Sequence, residues 1–558
     1  MHKSMFRFTT LGVKTKRISS GGRAKLEVLV GEEVCDLLQE DDFRQEWETL
    51  YEACPWGTAF QSYTYVTTWY EVYKDTYKPI LIVSYNREGR LDGVLALAVD
   101  GQRLIVGAGA EQAEYQVWIA RPEVEEDFVR SAMQELTEQF PGSNIRLKYV
   151  PDGASLNWTN RNSYWIRHCL VRTVKQPLMV IDEEKLNAEL RKKNRREKMN
   201  RLKRLGHLNF ERVNTAGRFR EVIDELTLQY DFRKGAMFNR TLFRTDSLRK
   251  QFLTLLFERG LLHTTLLTVD EKVIASNAGV TGKGWVHLQG LNTHCPTFAK
   301  HSPGILHFLL LGQLLAKEGI SVFDLTPGAD PYKNILATDY GTAHQLDIVG
   351  GYAKVVRGLT MAMRRQLMQG AMVMGVKHET LRKLKKKFMQ LQGRAGIGKL
   401  NPVVDKGTSQ AQLILVSEPG MPQDASIAIQ YCSLKDLLDY VPDAGQTRWE
   451  FLESSMRRLE AGERCYTWSE KGMLRACGWV GIPQATLEVS YQEQVADGSI
   501  LELTYYHTSA KEKLPAFLRA VAGQLQQDNP KPVYALVSGK DSAILSVQLT
   551  SVKSHCKL

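Results

Sequence analysis

The stretch HLQGLNTHCPTFAKHSPGILHFLLLGQLLAKEGISVFDLTPGADPYK, His287–Lys333, decides the fold. It opens as a strand around Trp285–Leu291, where Trp285, Leu288 and Leu291 mix with polar residues. A turn-rich loop with Pro296, Ser302, Pro303 and Gly304 follows. Ile305, Leu306, Leu309, Leu310, Gln313 and Leu314 then fall near the i, i+4, i+8 spacing of one buried face, which predicts a helix over Ile305–Lys317. Gly319 stops that helix, and Val322–Leu325 reads as the next buried strand. A helix that starts behind a Ser-Pro-Gly turn gathers unpaired backbone N–H groups at one place, and its dipole adds to their preference for negative charge. The natural guest is a phosphorylated ligand.

Upstream of this stretch, Leu262–Val269, Lys272–Val280 and Gly284–Leu291 read as a meander of strands, with Asp270-Glu-Lys272 as its first turn. Three helices precede it: a long one over Leu186–Leu205, then Ala216–Arg233 and Ser247–Arg259. The chain from Lys25 to Arg172 runs in the same order. Helices over Asp41–Ala53 and from Phe60 lead to strands Pro79–Tyr85, Leu91–Val99, Leu104–Gly107 and Glu114–Trp118, then helix Glu125–Phe140 and strand Asn144–Tyr149. Two successive halves of one order suggest a duplicated α/β fold. The first half has Arg121-Pro-Glu123 where the second has its Ser-Pro-Gly turn, so the anion site belongs to the second.

At 558 residues the chain is too long for one core, and three domains are expected. Hydrophobic content of 43% and charged content of 24% are those of a globular protein, and no apolar run reaches the 18 residues a transmembrane helix needs. The basic N-terminus lacks a continuous apolar segment and is read as a disordered tail, not a signal peptide. Eight cysteines (Cys35, Cys54, Cys169, Cys295, Cys432, Cys465, Cys477, Cys556) show no metal-ligand spacing, so reduced thiols in a cytoplasmic protein are expected and no metal. Much of the net charge of +11 sits in two runs. One is Arg191–Arg204, with nine cations against Glu197; the other lies near Lys383–Lys387.

These residues resemble a known family. Phe60-Gln-Ser-Tyr-Thr-Tyr with Trp69, the basic helix ending Arg201-Leu-Lys-Arg-Leu-Gly206, Lys272-Val-Ile-Ala275, Ser302-Pro-Gly304 and Phe323-Asp-Leu-Thr-Pro-Gly-Ala-Asp-Pro-Tyr-Lys333 resemble the CelD-type acyltransferases of the GNAT superfamily. That family was named for cellulose biosynthesis and is close in fold to the Fem-type aminoacyl ligases. The resemblance covers about 300 residues, Phe60 to Gly358. It implies an α/β (mixed α+β) fold of tandem GNAT-like acyltransferase domains. Residues 1–24 are then the tail, 25–172 a non-catalytic first domain, and 173–358 a second domain with the acyl-CoA site. Residues 359–405 form a Met-rich, basic helical linker, and 406–558 a third, weakly GNAT-like domain. The departures are a short His301-Ser-Pro-Gly304 loop where the family has a longer Gly-rich one, and Asp330 where members often have Glu.

The resemblance further implies acetyl-CoA or another acyl-CoA as donor. Backbone groups of Leu288, Gln289 and Leu291 would hold the pantetheine as an added strand, and Ser302, Pro303, Gly304 and Ile305 would meet the phosphates. Asp330 is the family-matched carboxylate, set against a cap role in Gly-Ala-Asp-Pro. Tyr332 could protonate the leaving thiolate, and Lys333 could stabilise an oxyanion, set against an ion pair with Asp324 or Asp330. Imidazole is the cheapest base near neutral pH, and His287, His294, His301 and His307 cluster here; His287 is the one carried forward, set against a pocket-wall role. Arg195, Arg196 and Lys198 of the basic helix are assigned to an anionic substrate, with peripheral membrane contact and a solvated surface as alternatives and nucleic acid disfavoured. The acceptor read from the resemblance is a small molecule or glycan precursor. A Fem-like ligase fed by aminoacyl-tRNA and a non-catalytic scaffold of a polysaccharide machine remain as other readings.

Overall fold

The computed structural model describes residues 16–18, 25–328, 330–350, 412–419, 426–442, 446–481 and 498–537. The N-terminal tail apart from 16–18 and the linker lie outside them. The chain forms two compact units, residues 1–226, 246–293 and 303–375 in one and 227–245, 294–302 and 376–558 in the other.

The first unit is built on a sheet of fourteen strands. In its first half these are β1 (Lys16–Ile18), β2 (Lys25–Val30), β3 (Lys78–Tyr85), β4 (Leu91–Val99), β5 (Leu104–Gly107), β6 (Ile119–Ala120) and β7 (Asn144–Pro151). Its second half has β8 (Cys169–Val180), β9 (Leu208–Val213), β10 (Leu262–Val269), β11 (Lys272–Gly282), β12 (Trp285–His294), β13 (Val322–Asp324) and β14 (Asp339–Ile348). Along the sheet the order is β1-β2-β3-β4-β5-β7-β14-β8-β13-β12-β11-β10-β9, with β6 on β4. Each half contains a three-strand meander, a crossover helix and a parallel strand. In the first, β3-β4-β5 leads through helix Glu125–Gln139 to β7, parallel to β5. In the second, β10-β11-β12 leads through helix Pro303–Lys317 to β13, parallel to β12.

The second unit holds a third copy of this motif. Its six strands are β15 (Gln412–Ser417), β16 (Gln430–Tyr431), β17 (Arg464–Glu470), β18 (Met473–Val480), β19 (Ser499–Tyr506) and β20 (Val533–Val537). The meander β17-β18-β19 passes through helix Leu514–Asp528 to β20, parallel to β19. The mixed α/β class read from the sequence is therefore the class of the fold.

Two features depart from the sequence reading. The boundary at 172/173 falls inside β8, which inserts between β13 and β14 and pairs with β14 over ten residues, from Asp339↔Leu178 to Ile348↔Cys169. Because β14 also pairs with β7, the two halves share one continuous ladder. The expected long helix over Leu186–Leu205 is two helices, Glu183–Arg191 and Lys193–Leu205, broken at Lys192 (ψ 138°). The break lets each piece bury its own face. Leu186 and Leu190 of the first pack against Leu311 and Leu315 of helix Pro303–Lys317, while the second buries only Leu202.

The core beneath helix Pro303–Lys317 comprises Val286 and Leu288 of β12, Phe323 of β13, Met179 of β8 and the helix's own leucines. On the far side of β12 the backbone approaches β11 closely. Gly290 sits at φ +140°, and a Cβ there would lie 2.1 Å from Ala278 O. Gly290→Val is expected to lower unfolding stability by about 1–3 kcal/mol. Chemical denaturation checks this, and a variant as stable as the parent contradicts the close approach.

Candidate active site

The parallel ladder of β12 and β13 has only three registered pairs: Trp285↔Val322, Val286↔Phe323 and His287↔Asp324. Beyond the third, β13 ends while β12 runs on to His294, so the two strands part at His287 and Asp324. Successive side chains of a strand alternate between faces. Val286 and Phe323 therefore enter the core under the helix, and His287 and Asp324 point to the opposite face, where Phe60 and Tyr115 of the first half meet them.

There the imidazole Nδ1 lies 2.8 Å from Asp324 Oδ2, with His287 1% and Asp324 0% exposed. The other carboxylate oxygen, Oδ1, accepts the Thr326 N–H at 2.8 Å. An ionised carboxylate only accepts, so the Nδ1 nitrogen carries a proton and donates it, and in the neutral ring Nε2 then keeps its lone pair. Among the described residues Nε2 has no hydrogen-bond partner, although it is buried. The ring centroids of Phe60, Tyr115 and Trp285 stand 5.1, 5.6 and 6.2 Å from that of His287. Burial, reinforced by the neighbouring Asp324 carboxylate, pushes the Tyr115 phenol well above its ordinary pKa, so it stays a protonated donor.

Tyr115 reaches this place because Glu114–Trp118 is not the strand its sequence suggests. Its backbone is satisfied by other segments: Gln61 Nε2 donates to Tyr115 O, and Gln116 N donates to Tyr149 O of β7. Only β6, just beyond it, joins the ladder.

His287 and Tyr115 form part of the wall of a cavity of about 450 Å³, with Trp56, Gln176, Lys283 and Trp285 among the other walls. Lys283 is committed elsewhere. Its Nζ donates to Cys54 O at 2.6 Å and Glu52 O at 3.2 Å, stands 4.7 Å from the centre of the Tyr51 ring, and is pulled to lower pKa by burial. The cavity is thus an aromatic chamber with an imidazole base and a phenol donor on its wall.

The other residues singled out in the sequence lie elsewhere. Lys333 is buried, and its Nζ donates to Thr326 O (2.9 Å), Thr326 Oγ1 (3.3 Å) and Pro327 O (3.4 Å), with burial lowering its pKa. It holds together the loop that follows Asp324. Asp330 caps helix Pro331–Leu336 through its backbone position, without a side-chain cap bond, and Tyr332 stacks on Phe308. His307 sits beneath its helix against Thr265 (Nε2 to Oγ1 3.0 Å), and burial drives its pKa down to about 3. His294 is likewise driven down to about 3, by burial and then by Arg233. His301 and Cys295 are buried.

Among the residues assigned to the donor, Leu288 and Leu291 are buried on β12, and Gln289 Nε2 donates to the carbonyls of Glu111 and Gln112. The helix starts at Pro303, two residues earlier than expected. Ser302 (φ +53°) gives its N–H to Ala299 O, and Pro303 has none, so Gly304 and Ile305 are the first-turn donors left at that end. Arg195 and Lys198 are half-buried and Arg196 exposed on helix Lys193–Leu205, and none of the three lines the cavity. Among the described residues no group of three or more His, Cys, Asp or Glu is placed to hold a metal.

With this geometry in place, comparison with known proteins is specific for one segment. Residues 190–334 match the acetyltransferase (GNAT) domain family. The match contains both basic-helix and meander elements, helix Pro303–Lys317, the His287–Asp324 pair and Lys333. No curated protein matches the chain. Among solved structures it is similar to FemX (11% identity, 56% of this chain and 96% of that one, TM-score 0.39). It is also similar to L-PGS from Bacillus licheniformis (11%, 55% and 91%, 0.33) and a GCN5-related N-acetyltransferase from Sphaerobacter thermophilus (10%, 48% and 79%, 0.27). At TM-scores below 0.5 these likenesses bear on neither activity nor substrate.

Asp324 and Tyr115 did not stand out as functional residues in the sequence. For Asp324 a signal existed, since a carboxylate inside Ser-Val-Phe-Asp-Leu needs a buried partner. Nothing near Tyr115 in sequence shows that it meets β12.

Two measurements separate structural from chemical roles. Lys333→Met leaves buried loop carbonyls without a donor and is expected to cost about 1–3 kcal/mol of stability. An oxyanion role alone would leave stability unchanged in denaturant titrations. For His307 the folded pKa lies below that of the unfolded chain, so its contribution is complete above about pH 6.5 and is lost as pH falls toward 3. The drop in melting temperature between pH 7 and pH 5 should therefore be smaller in His307→Gln than in the parent. An equal drop contradicts a buried neutral His307.

Proposed function

We propose that this protein is a GNAT-type acyltransferase, moving an acyl group, acetyl foremost, from acyl-CoA to an amine or hydroxyl of a glycan precursor in polysaccharide or cell-envelope synthesis. The observation that carries the reading is the buried His287–Asp324 pair, set where β12 and β13 part and walled into an aromatic cavity. The acceptor context follows the CelD-type resemblance of the sequence.

The residues present suit acyl-CoA. Past Asp324, β12 continues without β13 beside it, and Leu288–Leu291 can offer backbone groups to a pantetheine lying as a strand. Gly304 and Ile305 can offer N–H groups to phosphate at the start of a fifteen-residue helix. With the thioester held there, an acceptor in the cavity gives its proton to His287 Nε2 as its nitrogen or oxygen bonds to the acyl carbon. Asp324 holds the imidazole in the Nδ1–H tautomer and stabilises the imidazolium that forms. The Tyr115 phenol is a donor on the same wall. The carbon–sulfur bond then breaks, and the proton on His287 is available to the departing thiolate. Arg195, Arg196 and Lys198 would serve an anionic partner outside the cavity, a membrane surface included; among the described residues no helix is long and apolar enough to cross a membrane.

Thiol release from acetyl-CoA over a panel of amino sugars tests the reading. His287→Ala and Asp324→Asn are expected to slow turnover by about 10²–10⁴-fold while keeping the thermal shift produced by acetyl-CoA. Gly304→Val should remove that shift. No shift with millimolar acyl-CoA, together with no turnover, would overturn the acyltransferase reading, and transfer from aminoacyl-tRNA instead would replace its donor.

A further inference from the structure

Beside the aromatic cavity lies a second, more open groove of about 750 Å³, and the two share Asp152 and Gly153 in their walls. All of it belongs to the first unit. The walls of the groove are of a different kind. Ser155, Asn157, Thr159, Asn160 and Thr173 bring hydroxyl and amide groups beside apolar Leu156, Ile166, Leu170 and Val171, and among the described residues no lysine or arginine lines it. Its charged wall residue, Asp152, stands at the junction and is engaged on both sides. Its carboxylate lies 2.9 Å from His344 Nε2, and Thr342 of the inner cavity first and His344 second hold its pKa below the usual carboxylate range. In a neutral ring whose Nε2 donates to Asp152, His344 Nδ1 accepts from Thr173 Oγ1 at 3.1 Å, which leaves the threonine oxygen able to accept from a ligand. Thr173↔His344 is also a registered pair of the β8–β14 ladder, so this relay is built on the strands that join the two halves.

We infer that the acceptor is an extended, hydroxyl-rich chain, its reacting group at His287 and its following residues lying past Asp152 and Gly153 in the outer groove. This rests on the acyltransferase reading for the inner end and on the wall chemistry for the outer one. Trp56 and Trp285 make the inner walls aromatic, of the kind that takes a sugar ring, while the polar part of the outer walls matches hydroxyls. A polyanionic chain is disfavoured, because the inner cavity's Lys283 is spent on backbone carbonyls. The class that fits is a neutral or cationic oligosaccharide, an amino-sugar oligomer foremost.

Gly153 lies in the wall that the two cavities share. A Cβ there would stand 3.2 Å from Trp56 Cβ, so a larger side chain intrudes on the junction. The probes are glucosamine and its β-1,4-linked tetramer, titrated calorimetrically into the full chain and assayed for thiol release with acetyl-CoA. The tetramer is expected to bind about tenfold or more tightly than the monomer, a difference of about 1.4 kcal/mol or more. Gly153→Leu should bring that ratio toward one. Thr173→Val, which keeps the strand residue's size and removes the hydroxyl facing His344, should lower it as well and guards against misfolding of the glycine variant. Equal affinities for the two probes, no binding of either, or a ratio unmoved in both variants would overturn the groove. Turnover of both sugars without length dependence would remove the groove and keep the acyltransferase. Length-dependent binding without turnover would keep the groove and remove the acyltransferase.

Discussion

The site depends on one register: the third pair of a three-residue parallel ladder sets His287 opposite Asp324. A buried imidazole and a buried carboxylate are each costly alone and acceptable together. Slipping either strand by one residue would turn its member of the pair to the core side of the sheet, under helix Pro303–Lys317 and among Leu309, Leu311 and Leu315, and leave the other without its partner. The apolar pairs Val286 and Phe323 prevent that slip, because the core takes them and rejects the charge. Packing on one face of the sheet thus fixes chemistry on the other, and Lys333 completes the arrangement by tying down the loop that starts at Asp324.

The meander, crossover helix and parallel strand occur three times, yet among the parallel-strand junctions of the described residues an imidazole–carboxylate pair stands only where β12 meets β13. The first copy contributes walls instead: Phe60 and Tyr115 beside the imidazole, and Trp56, Asp152 and Gly153 around the cavity. This division follows from β8 and β14, which fuse the two halves into one sheet and bring loops of the first beside strands of the second. A duplicated fold can in this way give one copy the reaction and the other the substrate.

Local patterns made part of this legible. The apolar spacing of Ile305–Leu314 gave the crossover helix to within two residues of its start, and the runs around Val286 and Val322–Leu325 gave the two strands that form the pair. Histidine 287 was visible as a polar residue in a buried strand. The insertion of β8 was not, because its pairing with β14 spans the whole second half and leaves no mark on neighbouring residues. Nor was the role of Lys333, whose three acceptors are backbone and hydroxyl oxygens of a loop six to seven residues away and carry no charge to suggest a partner. Tyr115 is the clearest case: it is placed by Gln61 and by a strand from the other half, so only the assembled sheet shows it.

The central claim is that His287 is a neutral base held with its proton on Nδ1 by Asp324. Nitrogen-15 NMR of the full chain labelled at histidine, with His287 assigned by its Gln variant, reports the tautomer directly. At neutral pH the account predicts a protonated Nδ1 and a bare Nε2 for His287, with that preference lost in Asp324→Asn. A His287 protonated on Nε2, or one whose tautomer ignores Asp324, would contradict it.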